Sequence, residues 1–176
     1  MALPLRRTTR IKAERRKAAD ASLAAVGLSG VGDKYPRQLS GGMQQRVAIA
    51  RALAADPVLL LMDEPFGSVD AQAREDLEDL VLRVRRERDI TILLVTHDID
   101  ESVYLGDRVI VLTPGPGRVR ADLAVKLPGP RDQIETKERA EFVHLRTEVS
   151  RLVRSREEPA GGGTPAAAVG TGEAGT

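Results

Sequence analysis

The sequence predicts an α/β fold built on a parallel sheet, and three observations predict it. Val58-Leu59-Leu60-Leu61-Met62 and Ile90–Val95 are short continuous apolar runs, the pattern of strands covered on both faces. Between them, residues 71–88 carry Ala73, Leu77, Leu80, Val81 and Val84 on one stripe, the spacing of a helix that lies on a sheet. Each apolar run then gives way to polar residues, Asp63-Glu64 after the first and Thr96-His97-Asp98 after the second. Sites in such sheets gather at the carboxyl ends of the strands.

In chain order, residues 1–10 are basic and irregular. Residues 12–26 read as a helix, with Ala19, Leu23 and Val26 on one face and Gly27 as its stop. Gly27, Gly30, Gly32 and Pro36 mark 27–40 as a turn-rich connector. A second helix starts at about Gly42 with Met43, Val47, Ala50 and Ala54 on one face, and Asp56-Pro57 ends it. Asp70 stands where a cap for the 71–88 helix belongs. After Ile90–Val95 a short helix runs to Gly106, Arg108–Leu112 is a third strand, and Thr113-Pro114-Gly115-Pro116-Gly117 is a turn. Residues 118–127 alternate, with Val119, Ala121, Leu123, Val125 and Leu127 on one side, which is a half-exposed strand. One helix is expected over about 132–154, with Phe142, Leu145, Val149 and Leu152 on its buried face. From about 157 the composition is Gly, Ala, Thr, Pro and Glu without periodicity, and a disordered tail is expected. The division that follows is a helical region at 1–55, an α/β core at 56–127, a C-terminal helix at 128–156 and the tail at 157–176.

Composition narrows the function classes. The chain has 176 residues, enough for one domain, and 27 Lys+Arg against 26 Asp+Glu. A net charge of +1 gives no electrostatic case for nucleic acid or an anionic membrane. There is no cysteine and only His97 and His144, so thiolate and histidine-rich metal sites are excluded. No apolar run approaches the roughly 18 residues of a membrane span, and the start has no apolar core of a secretory signal. His144, on a helix surface with no partner in view, reads as structural.

Three places can carry chemistry. Asp63-Glu64 at a strand end can hold Mg²⁺ beside a nucleotide and orient an attacking water, and reads equally as an acidic turn. Leu39-Ser40-Gly41-Gly42-Met43-Gln44-Gln45 places a capping hydroxyl and two glycines at a helix start. There exposed amides suit a phosphate, although the same residues make an ordinary turn. His97 can reach a terminal phosphate or serve only as a local hydrogen-bonding group.

The three places together are more specific than any alone. The series Leu39–Leu53, then Leu59-Leu60-Leu61-Met62-Asp63-Glu64-Pro65-Phe66-Gly67-Ser68-Val69-Asp70, then Leu94-Val95-Thr96-His97-Asp98 closely resembles the ABC ATPase domain over about residues 1–153. The stretch Arg108–Val119 and Pro65–Asp70 resemble the nitrate/sulfonate/taurine importer branch. The resemblance implies a P-loop NTPase (RecA-like) parallel sheet with a helical signature subdomain. It implies ATP and Mg²⁺ as ligands and ATP hydrolysis coupled to uptake. Ser40, Gly41, Gly42 and Gln44 match the signature that grips ATP on the opposite subunit. Asp63 matches the residue acting on Mg²⁺, Glu64 the one polarising water, His97 the γ-phosphate sensor and Asp70 the residue at the dimer seam. The implied partners are a second ATPase subunit and a membrane permease, with a binding protein acting indirectly, at the cytoplasmic face of the cell membrane.

The sequence departs from that family in several motifs, and the adenine-stacking aromatic and the Q-loop glutamine have no counterpart in it. It contains no GxxxxGK[ST], whose lysine and amides cradle the β- and γ-phosphates. By the resemblance, the chain is expected to be N-terminally truncated, to lack the first strands, to leave strand edges unpaired and to bind ATP poorly alone. The alternative is a non-catalytic partner that donates its signature to an intact ATPase. An ATPase of DNA repair is disfavoured by the near-neutral charge and the lack of heptads.

Overall fold

The structure is a computed structural model, and it describes residues 12–155. The basic start and the predicted tail lie outside that range. Helix α1 (Lys12–Ala25) ends where Gly27 takes φ +74°, a left-handed conformation that glycine reaches without a Cβ penalty. A single 3₁₀ turn (Pro36–Gln38) leads to α2 (Gly41–Leu53). The two helices pack together, and Leu23, Val26, Ile49, Ala50 and Leu53 are buried.

Strands β1 (Leu59–Asp63) and β2 (Thr91–Val95) pair in parallel, from Leu59 opposite Thr91 to Asp63 opposite Val95. Helix α3 (Ala71–Arg88) connects them over the predicted span. Its cap is Asp70, whose Oδ1 accepts from the Ala73 amide at 2.9 Å. Leu77, Leu80, Val81 and Val84 of α3 share one core with Leu60 and Met62 of β1. Each large apolar side chain buried this way contributes about 1.5–3 kcal/mol.

The strands are not covered on both faces as their unbroken apolar runs predict. Leu59 and Leu61 are 54% and 64% exposed, and Leu93 and Val95 are 52% and 49% exposed. Successive side chains of a strand point to opposite faces, and only the face shared with α3 has packing partners among the described residues. The outer face of the pair is apolar and, among the described residues, left uncovered.

Helix α4 (Ile99–Leu105) is followed at once by Gly106, where an added Cβ would stand 2.7 Å from the Ser102 carbonyl oxygen and 3.1 Å from that of Arg108. Strand β3 (Arg108–Leu112) does not join β1 and β2. It pairs antiparallel with β4 (Val119–Ala124), forming a separate two-stranded sheet with a register shift at Val111/Leu112. The alternation continues past the strand, and Val125 and Leu127 are buried.

The single helix expected over 132–154 is two, α5 (Glu135–Glu138) and α6 (Ala140–Arg154), separated at Arg139 by an extended ψ of 141°. Asp132 Oδ1 accepts from the Ile134 and Glu135 amides and starts α5, and the break lets each helix meet a different surface. Gln133 donates to Glu78 and Asp79 of α3, whereas α6 packs against α4, and Phe142 at its start is fully buried. Arg131, almost buried, donates to the carbonyls of Tyr104 and Gly106 at 2.6 and 2.9 Å, closing the end of α4. Arg120 of β4 similarly reaches the Leu152 carbonyl at 2.7 Å.

Candidate functional site

The parallel register delivers the ends of β1 and β2 to the same edge. Asp63 pairs with Val95, and the Glu64 amide donates to the Val95 carbonyl at 2.9 Å, carrying the pairing one residue further. Asp63-Glu64 and Thr96-His97 therefore emerge side by side. Glu64 has φ +45°, a left-handed conformation that costs a residue with a Cβ about 1–2 kcal/mol. That strain sits at a strand end where a carboxylate is turned toward its neighbour.

The neighbour is His97. Its Nδ1–H donates to Glu64 Oε2 at 2.7 Å, with the side chains 83% and 42% exposed. The hydrogen bond and the negative charge of Glu64 hold the imidazole above its ordinary range. With Nδ1 committed to Glu64, Nε2 is the ring nitrogen free for another partner. Asp63 is exposed beside them and has no ion pair among the described residues. Among the described residues no group of three or more His, Cys, Asp or Glu could hold a metal by itself.

The turn that carries His97 is pinned on both flanks. Thr96 Oγ1–H donates to Glu101 Oε2 at 2.6 Å and accepts from the Asp98 amide at 3.0 Å. Asp98 caps α4 by accepting from the Asp100 and Glu101 amides. Arg74, in the first turn of α3, pairs with Asp98 at 3.4 Å and lies 3.8 Å from Glu101. Glu101 is buried, and desolvation pushes its carboxyl above the usual carboxylate range.

Ser40 is exposed and caps α2, its Oγ accepting from the Met43 amide at 3.3 Å. Gly41 has open space around its Cα, and a Cβ on Gly42 would meet Ala73 Cβ at 3.5 Å, so the starts of α2 and α3 lie against each other. Gln44 Nε2 is occupied within the chain, donating to the carbonyls of Pro36 and Leu39 at 3.1 Å each. Gln45 reaches Ser68 Oγ at 3.1 Å, tying α2 to the loop that leads into Asp70. The structure thus unites Glu64 with His97 and places Asp63 at their edge. Among the described residues the Ser40 turn makes no hydrogen bond or ion pair with those three, and it meets their side of the molecule through Gln45–Ser68, Gly42–Ala73 and the packing of Met43 on the core.

Sequence reasoning passed over Arg74, Glu101 and the Gln45–Ser68 link. One signal was present. Asp98-Ile99-Asp100-Glu101 has the D-x-x-E spacing of a capping box, but Glu101 turns to Thr96 instead of back to the cap amide.

The sequence pattern of the ABC transporter family matches residues 3–67, and long stretches on either side of Glu64 and His97 align with curated members. The chain belongs to the ABC transporter family. It is 52% identical over 118 residues to the aliphatic sulfonates import ATP-binding protein SsuB of Bacillus licheniformis, covering 67% of this chain and 46% of that protein. It is 43% identical over 149 residues to the nitrate import ATP-binding protein NrtD of Synechocystis, covering 82% of this chain and 56% of that one. Among solved structures it resembles a dimeric ATP-binding cassette in a post-hydrolysis state bound to ADP and Pi, with TM-score 0.60, 37% identity and coverage of 71% and 54%. A Clostridium perfringens subunit of an ABC transporter complex gives TM-score 0.60 at 34% identity, covering 67% of this chain and 46% of that one. The chain spans about half the length of these relatives. No helix among the described residues is long and apolar enough to cross a membrane.

Proposed function

We propose that this chain is an ATP-binding subunit of an importer of the sulfonate or nitrate type, coupling ATP hydrolysis to uptake. The observation that carries the reading is the Glu64–His97 pair beside Asp63 at one sheet edge. Phosphoryl transfer needs placement and charge neutralisation more than covalent chemistry. Glu64 polarises the water whose oxygen bonds to the γ-phosphorus as the bond to the departing ADP oxygen breaks, and the left-handed backbone at Glu64 aims its carboxylate. His97 offers Nε2 to the γ-phosphate. Asp63 fits Mg²⁺, an ion usually held by one or two carboxylates together with phosphates and water, so one exposed strand-end carboxylate suffices. When bound, the ion neutralises phosphate charge.

Ser40, Gly41 and Gly42 form the turn given to ATP on the opposite subunit of a dimer. Gln44 acts in that turn by holding the Pro36–Leu39 loop in place, since its amide already has two carbonyl acceptors. Asp70 sits at the seam. The partners are a second ATPase subunit and a permease, which places the chain peripherally on the cytoplasmic face of the cell membrane, with a binding protein acting through the permease.

A second reading is favoured by the separation of the Ser40 turn from the Glu64–His97 edge, with which it makes no hydrogen bond or ion pair among the described residues. In it, the chain donates its Ser40 turn to an intact ATPase and turns over no ATP at its own strand edge. One experiment addresses both readings by measuring Mg-ATP affinity and hydrolysis for the chain alone and mixed with an intact importer ATPase subunit. We expect hydrolysis by the mixture that falls in S40R and in E64Q. Dependence on Ser40 without dependence on Glu64 selects the donor reading. No nucleotide response in either setting rejects both.

A further inference from the structure

The His97 side chain is 83% exposed, and among the described residues its ion pair is with an exposed glutamate. Surface pairs of that kind are weak and pay for their order in side-chain entropy. The position of His97 must therefore be set by the turn beneath it, and that turn has a buried anchor in Glu101. Glu101 is 5% exposed, and a carboxylate is kept at that depth only with partners. Its partners are the Thr96 hydroxyl at 2.6 Å, which itself accepts from the Asp98 amide, and the Arg74 guanidinium at 3.8 Å. Arg74 also pairs with Asp98 at 3.4 Å. Both residues flanking His97 thus belong to one network whose far end is the first turn of α3, next to the Asp70 cap.

We propose that Glu101 is a positioning residue: through Thr96 and Arg74 it holds the 96–98 turn so that His97 stays against Glu64, and it couples that turn to the start of α3. Its value to turnover rests on the nucleotide reading above, whereas the geometry does not.

The test is the His97 side-chain Nδ1–H resonance of the full chain, observed by nuclear magnetic resonance without nucleotide. In T96V, which keeps side-chain volume and removes the hydroxyl, the hydrogen-bonded resonance should be lost, and T96S should restore it. E101Q should weaken it, because Gln can still accept from Thr96 but no longer attracts Arg74. Y104F is the control. It removes the 2.7 Å bond from Tyr104, on the same helix as Glu101, to Asp79 of α3, outside this network, and should leave the resonance in place. A parental His97 signal in T96V overturns the proposal, as does a loss in Y104F equal to that in T96V. If T96V does not fold, E101Q decides, and an unchanged signal there overturns it. Loss in T96V with rescue in T96S sustains the proposal even if no mixture of subunits hydrolyses ATP, so failure of the nucleotide reading is read separately.

Discussion

The two faces of the β1–β2 pair are built from the same residue types and have opposite surroundings. On one face Leu60 and Met62 are each 7% exposed, sharing a core with α3. On the other, Leu61 and Leu93 stand more than half exposed. The difference teaches that strand formation and strand burial are separate events. Five apolar residues in a row make a strand wherever a neighbour supplies the ladder, but the second face needs a partner surface that the described residues do not supply. Exposed apolar patches and open strand edges of this kind are where proteins meet other chains or aggregate.

Substitutions can break that comparison. The largest effect is expected on the covered side. Leu77→Ala, at 1% exposure, should lower the unfolding free energy by about 2–5 kcal/mol in urea denaturation. Asp70→Ala removes the cap of the same helix and should cost about 0.5–2 kcal/mol. On the bare side Leu61→Ser should change stability by less than about 0.5 kcal/mol while reducing self-association in light scattering. A loss in Leu61→Ser comparable to that in Leu77→Ala would mean that the outer face is packed after all.

The last prediction concerns charge at the edge where the faces meet and moves stability least. The Glu64 partner raises the folded-state midpoint of His97 above the unfolded one. The pair therefore contributes stability fully present below the unfolded midpoint, and this is lost as pH rises through the folded one. A proton-resonance titration should place His97 above the ordinary imidazole range, and Glu64→Gln should bring it down. No downward shift would remove Glu64 as the cause.

Where a feature was set by residues a few positions apart, the sequence was legible. Ser40 and Asp70 mark the starts of α2 and α3 because a side-chain oxygen two or three residues ahead of a free amide needs nothing from the rest of the chain. The strand-end placement of Asp63, Glu64 and His97 follows from two apolar runs that each give way to polar residues. The break at Arg139 was not legible, since no Gly or Pro marks it and the polar residues before the Phe142–Leu152 stripe suit an exposed helical turn as well as a break. It arises because α5 and α6 bind surfaces of α3 and α4 far off in sequence. Nor could the alternation of covered and bare positions in β1 be read from a stretch in which every residue is apolar. The Glu101 network escaped for the same reason, because its members at 74, 96, 98 and 101 meet only after β2 has docked beside β1.

Gly106 leaves no room for a side chain of any kind. Its would-be methyl meets main-chain oxygens of Ser102 and Arg108, which cannot rotate aside as a flexible side chain would. Gly115, Gly117 and Gly129 have no atom within 4 Å of that position. A saturation library selected for folded chain should accordingly be purged at codon 106 and stay diverse at the other three. The hinge between α4 and β3 thus becomes the least mutable point of a surface loop system that otherwise tolerates change.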